Sequence, residues 1–155
     1  MTARKIDPRE VRLMIGTHTH GTLTPRYVFS LARLTGLLPT WGIAHGVVIQ
    51  EHCFVDRGRD LIANAFLASE ATHLLFIDAD IEFDAEAVLH LIAARRDVVA
   101  APYRQKSEGD RYAISWLENA ARGLEWDADA RAIEVDGAGT GFMLIARRVF
   151  EEMIE

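Results

Sequence analysis

Asp78 and Asp80 follow directly on the apolar run Leu74-Leu75-Phe76-Ile77, and their type and spacing suit capture of a hard cation. Magnesium-type ions take oxygen ligands at about 2.1 Å, commonly from one or two carboxylates, with water and substrate phosphate completing the shell. On an extended strand residues i and i+2 share a face, roughly 6.5 Å apart, so the two carboxylates are expected to converge on one ion. Turn chemistry is the competing reading, in which one carboxylate accepts backbone N–H bonds and the other stays solvated. Downstream, Asp84 is expected to cap a helix with Glu86 in its first turn and Val88, Leu89, Leu91 and Ile92 on one face. That leaves Asp78 and Asp80 without an evident local task.

Other residues offer further chemistry. Arg57 and Arg59 open a helix expected over residues 57–69, with Leu61, Ile62, Ala65 and Phe66 on one face. Cations in a first helical turn oppose the macrodipole, so either a phosphate or the neighbouring Asp56 and Asp60 should compensate them. His18 and His20 stand at i and i+2 in a polar stretch, but no third ligand lies near them, and a polar loop accounts for them. Gly137, Gly139 and Gly141 precede an apolar strand and not a helix, which fails the phosphate-loop and dinucleotide patterns. They read either as an irregular turn with positive φ or as a place where backbone approaches a ligand closely.

The elements that must position these residues alternate. Residues 11–15 are expected to form a first strand, followed by a ligand-side loop over residues 16–21. Thr24 then caps a helix with Pro25 at its first position, Leu23 stapled onto Val28, and Val28, Leu31, Ala32 and Leu34 covering the sheet to about Gly36. A loop with Pro39 and Gly42 leads to a second strand over residues 46–50, with Glu51 and His52 at its carboxyl end. Residues 74–77 form a strand buried on both faces. Residues 97–101 give a fourth strand stopped by Pro102, followed by a loop made basic by Arg104 and Lys106. Residues 112–116 form a short strand, residues 124–126 and 133–135 a hairpin, and residues 142–145 a last strand before a helix from about Arg148. Parallel βα units followed by antiparallel strands predict an α/β domain with a mixed sheet. In such sheets ligands bind beyond the carboxyl ends of the strands, where Asp78 and Asp80 fall.

Composition sets the bounds. With 155 residues, 50% apolar and 26% charged, one globular domain is expected, and no repeat or low-complexity linker suggests a second. The net charge of −6 and scattered basic residues argue against a nucleic-acid partner. Cys53 is the only cysteine, which gives no internal disulfide or zinc spacing and fits a reducing, cytoplasmic setting. No transmembrane segment is expected, although peripheral membrane contact is compatible with the sequence.

Together these residues resemble a nucleotide-diphospho-sugar glycosyltransferase of the GT-A fold, in the broad family 2-like group, over residues 11–154. The resemblance rests on His73-Leu74-Leu75-Phe76-Ile77-Asp78-Ala79-Asp80-Ile81, on Arg57-Gly58-Arg59-Asp60, and on Gly139-Thr140-Gly141-Phe142-Met143-Leu144-Ile145 ahead of Arg147-Arg148-Val149-Phe150. It implies a Rossmann-like three-layer sandwich and a hexosyltransferase-like activity. It also implies manganese or magnesium held between the Asp-x-Asp motif and the donor diphosphate. Asp80 would be the direct metal ligand, and Asp78 would approach the ribose or the metal shell. Thr17 and Glu51 would border the base, Arg57 and Arg59 would contact the nucleotide, and Gly139, Thr140 and Gly141 would line the donor-sugar and acceptor side. Asp60 stands where many relatives carry asparagine.

Relatives of this kind usually continue past the closing helix with an acidic catalytic residue and often a histidine ligand, whereas this sequence stops at Glu155. The sequence therefore reads as a donor-binding portion with its catalytic residue unassigned, expected to bind a nucleotide-sugar donor and to turn over slowly. An apolar face formed by residues 142–145 with Val149, Phe150, Met153 and Ile154 is expected to be uncovered and to favour a homodimer. A nucleotide-sugar-binding module without turnover is one rival, and a nucleotidyltransferase on a similar scaffold is another. The glycine-rich signature expected of the latter is missing from residues 11–25.

Overall fold

The apolar runs become strands of one sheet. A computed structural model describes residues 10–103, 112–115, 126–128 and 130–154. In chain order the elements are β1 (Arg12–Thr19), α1 (Pro25–Leu37), a 3-10 turn (Leu38–Trp41), β2 (Ala44–Glu51), α2 (Val55–Leu67), β3 (His73–Ile77), α3 (Ala85–Ala94) and β4 (Val98–Ala100). They continue as β5 (Ile114–Ser115), β6 (Trp126–Asp127), β7 (Ala132–Ile133), β8 (Gly137–Ala138), β9 (Phe142–Ala146) and α4 (Arg147–Glu152). The main sheet runs β2-β1-β3-β9-β4. β1 is parallel to β2 and β3, and β9 is antiparallel to both its neighbours, so the sheet is mixed and mainly parallel, as expected. β5 with β8, and β6 with β7, form two small antiparallel ladders. Arg104, Lys106, Trp116, Leu124 and Glu125 lie outside the described residues.

Side-chain alternation splits the core between the two faces of the sheet. Leu13, Ile15, Leu75 and Ile77 join Tyr27 and Leu34 of α1 and Val88, Leu91 and Ile92 of α3. Met14, Leu74 and Phe76 meet Ile62 and Phe66 of α2, with Phe150 of α4 packed alongside. β3 is therefore covered on both sides, which its unbroken apolar run requires. The chain leaves β1 for β2 through α1 on one face and returns through α2 on the other to β3. The strand order thus reverses between β1 and β3, and their carboxyl ends open a crevice there.

Several expectations are corrected. β1 continues to Thr19, so residues 16–19 are strand and not loop; Thr17, His18 and Thr19 are all buried. Polar residues are tolerated there because each finds a partner: Thr17 Oγ1 lies 2.5 Å from Tyr27 Oη, and Thr19 Oγ1 donates to Thr22 O at 2.5 Å. The α1 cap is as read, with Thr24 Oγ1 accepting from Tyr27 N at 3.3 Å, but Val28 is 46% exposed. The buried stripe is Tyr27, Ser30 and Leu34. Asp84 precedes α3 with extended dihedrals yet makes no side-chain cap bond, because its carboxylate pairs with Arg33 at 3.3 Å. Nor is β9 an uncovered strand. It lies inside the sheet, with Phe142, Met143 and Leu144 buried, leaving Met153 and Ile154 as the exposed apolar residues at that end.

α4 is fastened through Arg147. Its guanidinium donates to Phe66 O at 2.8 Å, Ser69 O at 2.6 Å and Ala71 O at 2.7 Å, with Leu67 O at 3.3 Å, and stacks 4.7 Å from the Phe66 ring centroid. These contacts tie α4 to the last residues of α2 and to the segment that follows it. On the other face Ser30 Oγ accepts from Phe83 N at 3.1 Å, which fixes the segment leading into α3.

Candidate functional site

β3 delivers Asp78 and Asp80 to the crevice, but not as neighbours on an extended face. The strand ends at Ile77, and Ile81 N donates to Asp78 O at 3.2 Å, closing a turn over residues 78–81. Period-two alternation stops there, which corrects the expected strand geometry of the pair. Ala79 O accepts from Thr24 N at 3.0 Å and from Thr24 Oγ1 at 3.3 Å, so the turn is tied to the cap of α1. Asp78 is half-buried and Asp80 exposed at the turn.

Asp78 does have a local task. Its Oδ1 accepts from Arg59 Nη2 at 2.9 Å, between side chains 28% and 36% exposed. α2 starts at Val55, so Arg59 stands beyond the first turn, where the helix dipole no longer opposes it, and its charge is balanced by Asp78. Arg57 points elsewhere, 71% exposed and 3.9 Å from Asp60. The structure thus separates two arginines that the sequence treated alike.

The glycine segment reaches the same carboxylate. Asp78 N donates to Gly141 O at 2.9 Å. A Cβ added at Gly141 would lie 2.7 Å from Asp78 Oδ2 and 2.7 Å from Tyr103 Cζ, and one at Gly139 would lie 2.3 Å from Tyr103 Oη. Among the described glycines only Gly21 and Gly42 have positive φ, so the positive-φ reading of this segment is corrected. Close approach explains Gly139 and Gly141, with Tyr103 and Asp78 filling the space. Tyr103, which accepts from Gly141 N at 3.3 Å, was missed by sequence reasoning. Two glycines spaced to share one face were the available signal. Thr140 lies half-buried in the turn between them.

On the β1 side, Thr17 is fully buried. It supports the crevice from beneath by holding Tyr27, and burial pushes the Tyr27 hydroxyl up while the Thr17 hydrogen bond acts in the opposite direction. Glu51 is exposed at the end of β2, its carboxylate beside Gly21, where a Cβ would lie 3.4 Å from Oε1. His18 Nε2 lies 2.8 Å from His52 O. A Cβ at Gly58 would fall 2.1 Å from His18 Cδ2, so Gly58 lets α2 sit directly on β1.

Two cavities lie elsewhere. One of about 520 Å³ separates α2 from α4, lined by Leu61, Leu67, Phe150, Met153 and Ile154. Another of about 420 Å³ is lined by Phe29, Arg33, Phe83 and Asp84. Neither is lined by Asp78, Asp80 or Gly141. Both cavities also carry polar residues, His52, Arg57, Asp60 and Asn64 in the first and Ser30, Arg33, Glu82 and Asp84 in the second, so the crevice is favoured by strand topology, lying at the carboxyl ends of β1 and β3 where the strand order reverses.

Among the described residues no group of three His, Cys, Asp or Glu side chains could hold a metal ion. Asp78 and Asp80 offer oxygen donors, the type a magnesium-type ion takes when it shares its shell with phosphate, with Asp78 Oδ1 already paired to Arg59. No helix among the described residues is long and apolar enough to cross a membrane.

No family model matches the chain, and no curated protein matches it. The solved structure titled "Crystal Structure of A197 from STIV" is similar, with a TM-score of 0.61 and 22% identity over 92% of this chain and 68% of that chain. This likeness is one of fold, an α/β arrangement with a mixed central sheet.

Proposed function

We propose that this chain is the donor-binding core of a metal-dependent glycosyltransferase, moving a sugar from a nucleotide diphosphate to an acceptor in the cytoplasm. The observation that carries the reading is the convergence on Asp78: Arg59 donates to its Oδ1 at 2.9 Å, and Gly141 backs its Oδ2 without a side chain between. The Asp80 turn adjoins it at the carboxyl end of β3. A diphosphate entering there would meet an arginine and two carboxylates.

Asp80, exposed at the turn, would hold manganese or magnesium, with Asp78 in the shell or toward the ribose. When bound, that ion supplies Lewis-acid stabilisation of the departing diphosphate. Arg59 has further N–H donors beyond the one given to Asp78, and a guanidinium matches phosphate oxygens in pairs. Glu51 borders the base side. Thr17 acts through Tyr27 and not by touching the nucleotide. Gly139, Thr140 and Gly141, braced by Tyr103, would line the donor-sugar side, and the group that deprotonates the acceptor is unassigned.

Thermal unfolding against a panel of nucleoside diphosphates, with and without manganese, tests the reading. A metal-dependent rise with one nucleotide supports it, and no rise with any sinks it. Release and transfer of sugar from the matching donor then separates a transferase from a module that binds without turnover.

A further inference from the structure

The two edges of the sheet are finished differently. β4 spans three residues between Arg95, Arg96 and Asp97 on one side and Pro102 on the other, a short edge with the charges and proline that discourage strand recruitment. β2 spans eight residues, Ala-His-Gly-Val-Val-Ile-Gln-Glu, with no lysine or proline. Among the described residues it pairs with β1 alone, and Val47 and Ile49 are 40% and 44% exposed. Such an edge is a template for another strand.

We propose that β2 is a self-association edge through which two copies of this chain join antiparallel, about a two-fold axis at Val48, into one continuous sheet. The sequence of β2 is self-complementary in that register. Val47 falls opposite the partner's Ile49, and His45 opposite the partner's Glu51, so each copy contributes both members of an apolar pair and of an imidazole–carboxylate pair. All four positions are odd-numbered and share one face. Moving the axis to Ile49 would keep one apolar pair, Ile49 with its own copy, but would set Val47 against the partner's carboxylate Glu51 and take that carboxylate from His45.

The helix layer fits the same arrangement. α2 packs on both β1 and β2, so pairing of the edges brings the two α2 axes within about two strand spacings, roughly 10 Å, the distance at which helices pack.

Sedimentation velocity of the full chain over a concentration series tests the proposal, with a dimer expected. Ile49→Lys, at an exposed position, should weaken dimerisation about tenfold or more, because two cross-strand pairs are lost per dimer. Val47→Lys should do the same and serves if the first variant fails to fold. In a Cys53→Ser background, Val48→Cys should form an intermolecular disulfide on oxidation, since opposed residues at the axis lie about 4.5–5.5 Å apart between Cα atoms. Ala44→Cys in that background should not. A chain monomeric at every concentration overturns the proposal. So does a dimer that withstands both lysine variants and is not trapped through Val48→Cys.

Discussion

Gly141→Ala puts one methyl group where the structure leaves no space. The backbone of Gly141 does not have positive φ, so alanine brings no dihedral strain and the whole effect comes from contact. The new Cβ would lie 2.7 Å from Asp78 Oδ2, 2.7 Å from Tyr103 Cζ and 2.8 Å from Tyr103 Oη, each well inside van der Waals contact. Neither neighbour yields freely: Asp78 is held by Arg59 at 2.9 Å, and Tyr103 Oη accepts from Gly141 N at 3.3 Å. Overpacking of this kind costs about 1–3 kcal/mol. Relief by displacing Asp78 would break the Arg59 pair, so nucleotide binding should fall together with stability. Gly36→Ala is the control. A Cβ at Gly36 meets nothing within 4 Å, and in a helix alanine should stabilise by up to about 1 kcal/mol. Urea unfolding of both variants, beside nucleotide titration, reads the difference. Equal stability of Gly141→Ala and parent, with unchanged binding, would refute the placement of Asp78 and Tyr103 against this glycine.

Arg147→Ala should destabilise the chain by about 3 kcal/mol, because it strips charged donors from several carbonyls at once; Arg147→Lys should recover only part of this, since an ammonium cannot copy the fork. Urea unfolding checks both. Burial holds His73 below its usual value of 6.5, opposed by Asp97. The unfolded chain therefore takes up the proton first, and stability is full above pH 6.5 and lost as pH falls from there through the lowered folded value. The melting temperature of His73→Gln should decline less across that window than that of the parent, and parallel declines would refute the assignment.

The fold was legible where local chemistry and long-range packing agree. β3 declares itself because both faces are buried and its apolar run is unbroken, and α1 because Thr24-Pro25 is a cap in sequence and in space. The end of β1 was not legible. His18 and Thr19 read as loop residues until the residue just after β2 supplies His52 O and the following turn supplies Thr22 O. The phase of α1 slipped because Tyr27 and Ser30 look polar, yet Thr17 and Phe83 give them buried partners. At the candidate site the Asp-x-Asp spacing was visible, but the turn that replaces the strand beyond Ile77 was not. Nothing local distinguished Arg59 from Arg57, since the difference lies in reaching Asp78, nineteen positions along the chain. Tyr103 was hidden for the same reason, its contacts lying 38 residues away at Gly141.

The central claim is that Asp80 and its turn bind a metal together with a nucleoside diphosphate. Isothermal titration of manganese with nucleoside diphosphate into the parent and into Asp80→Ala tests it most directly. Asp80 is exposed, and urea unfolding of Asp80→Ala beside the parent separates a loss of fold from a loss of metal binding. The parent should bind nucleotide more tightly with manganese than without, and Asp80→Ala should bind equally with and without it. Metal-dependent binding that survives Asp80→Ala unchanged would contradict the account.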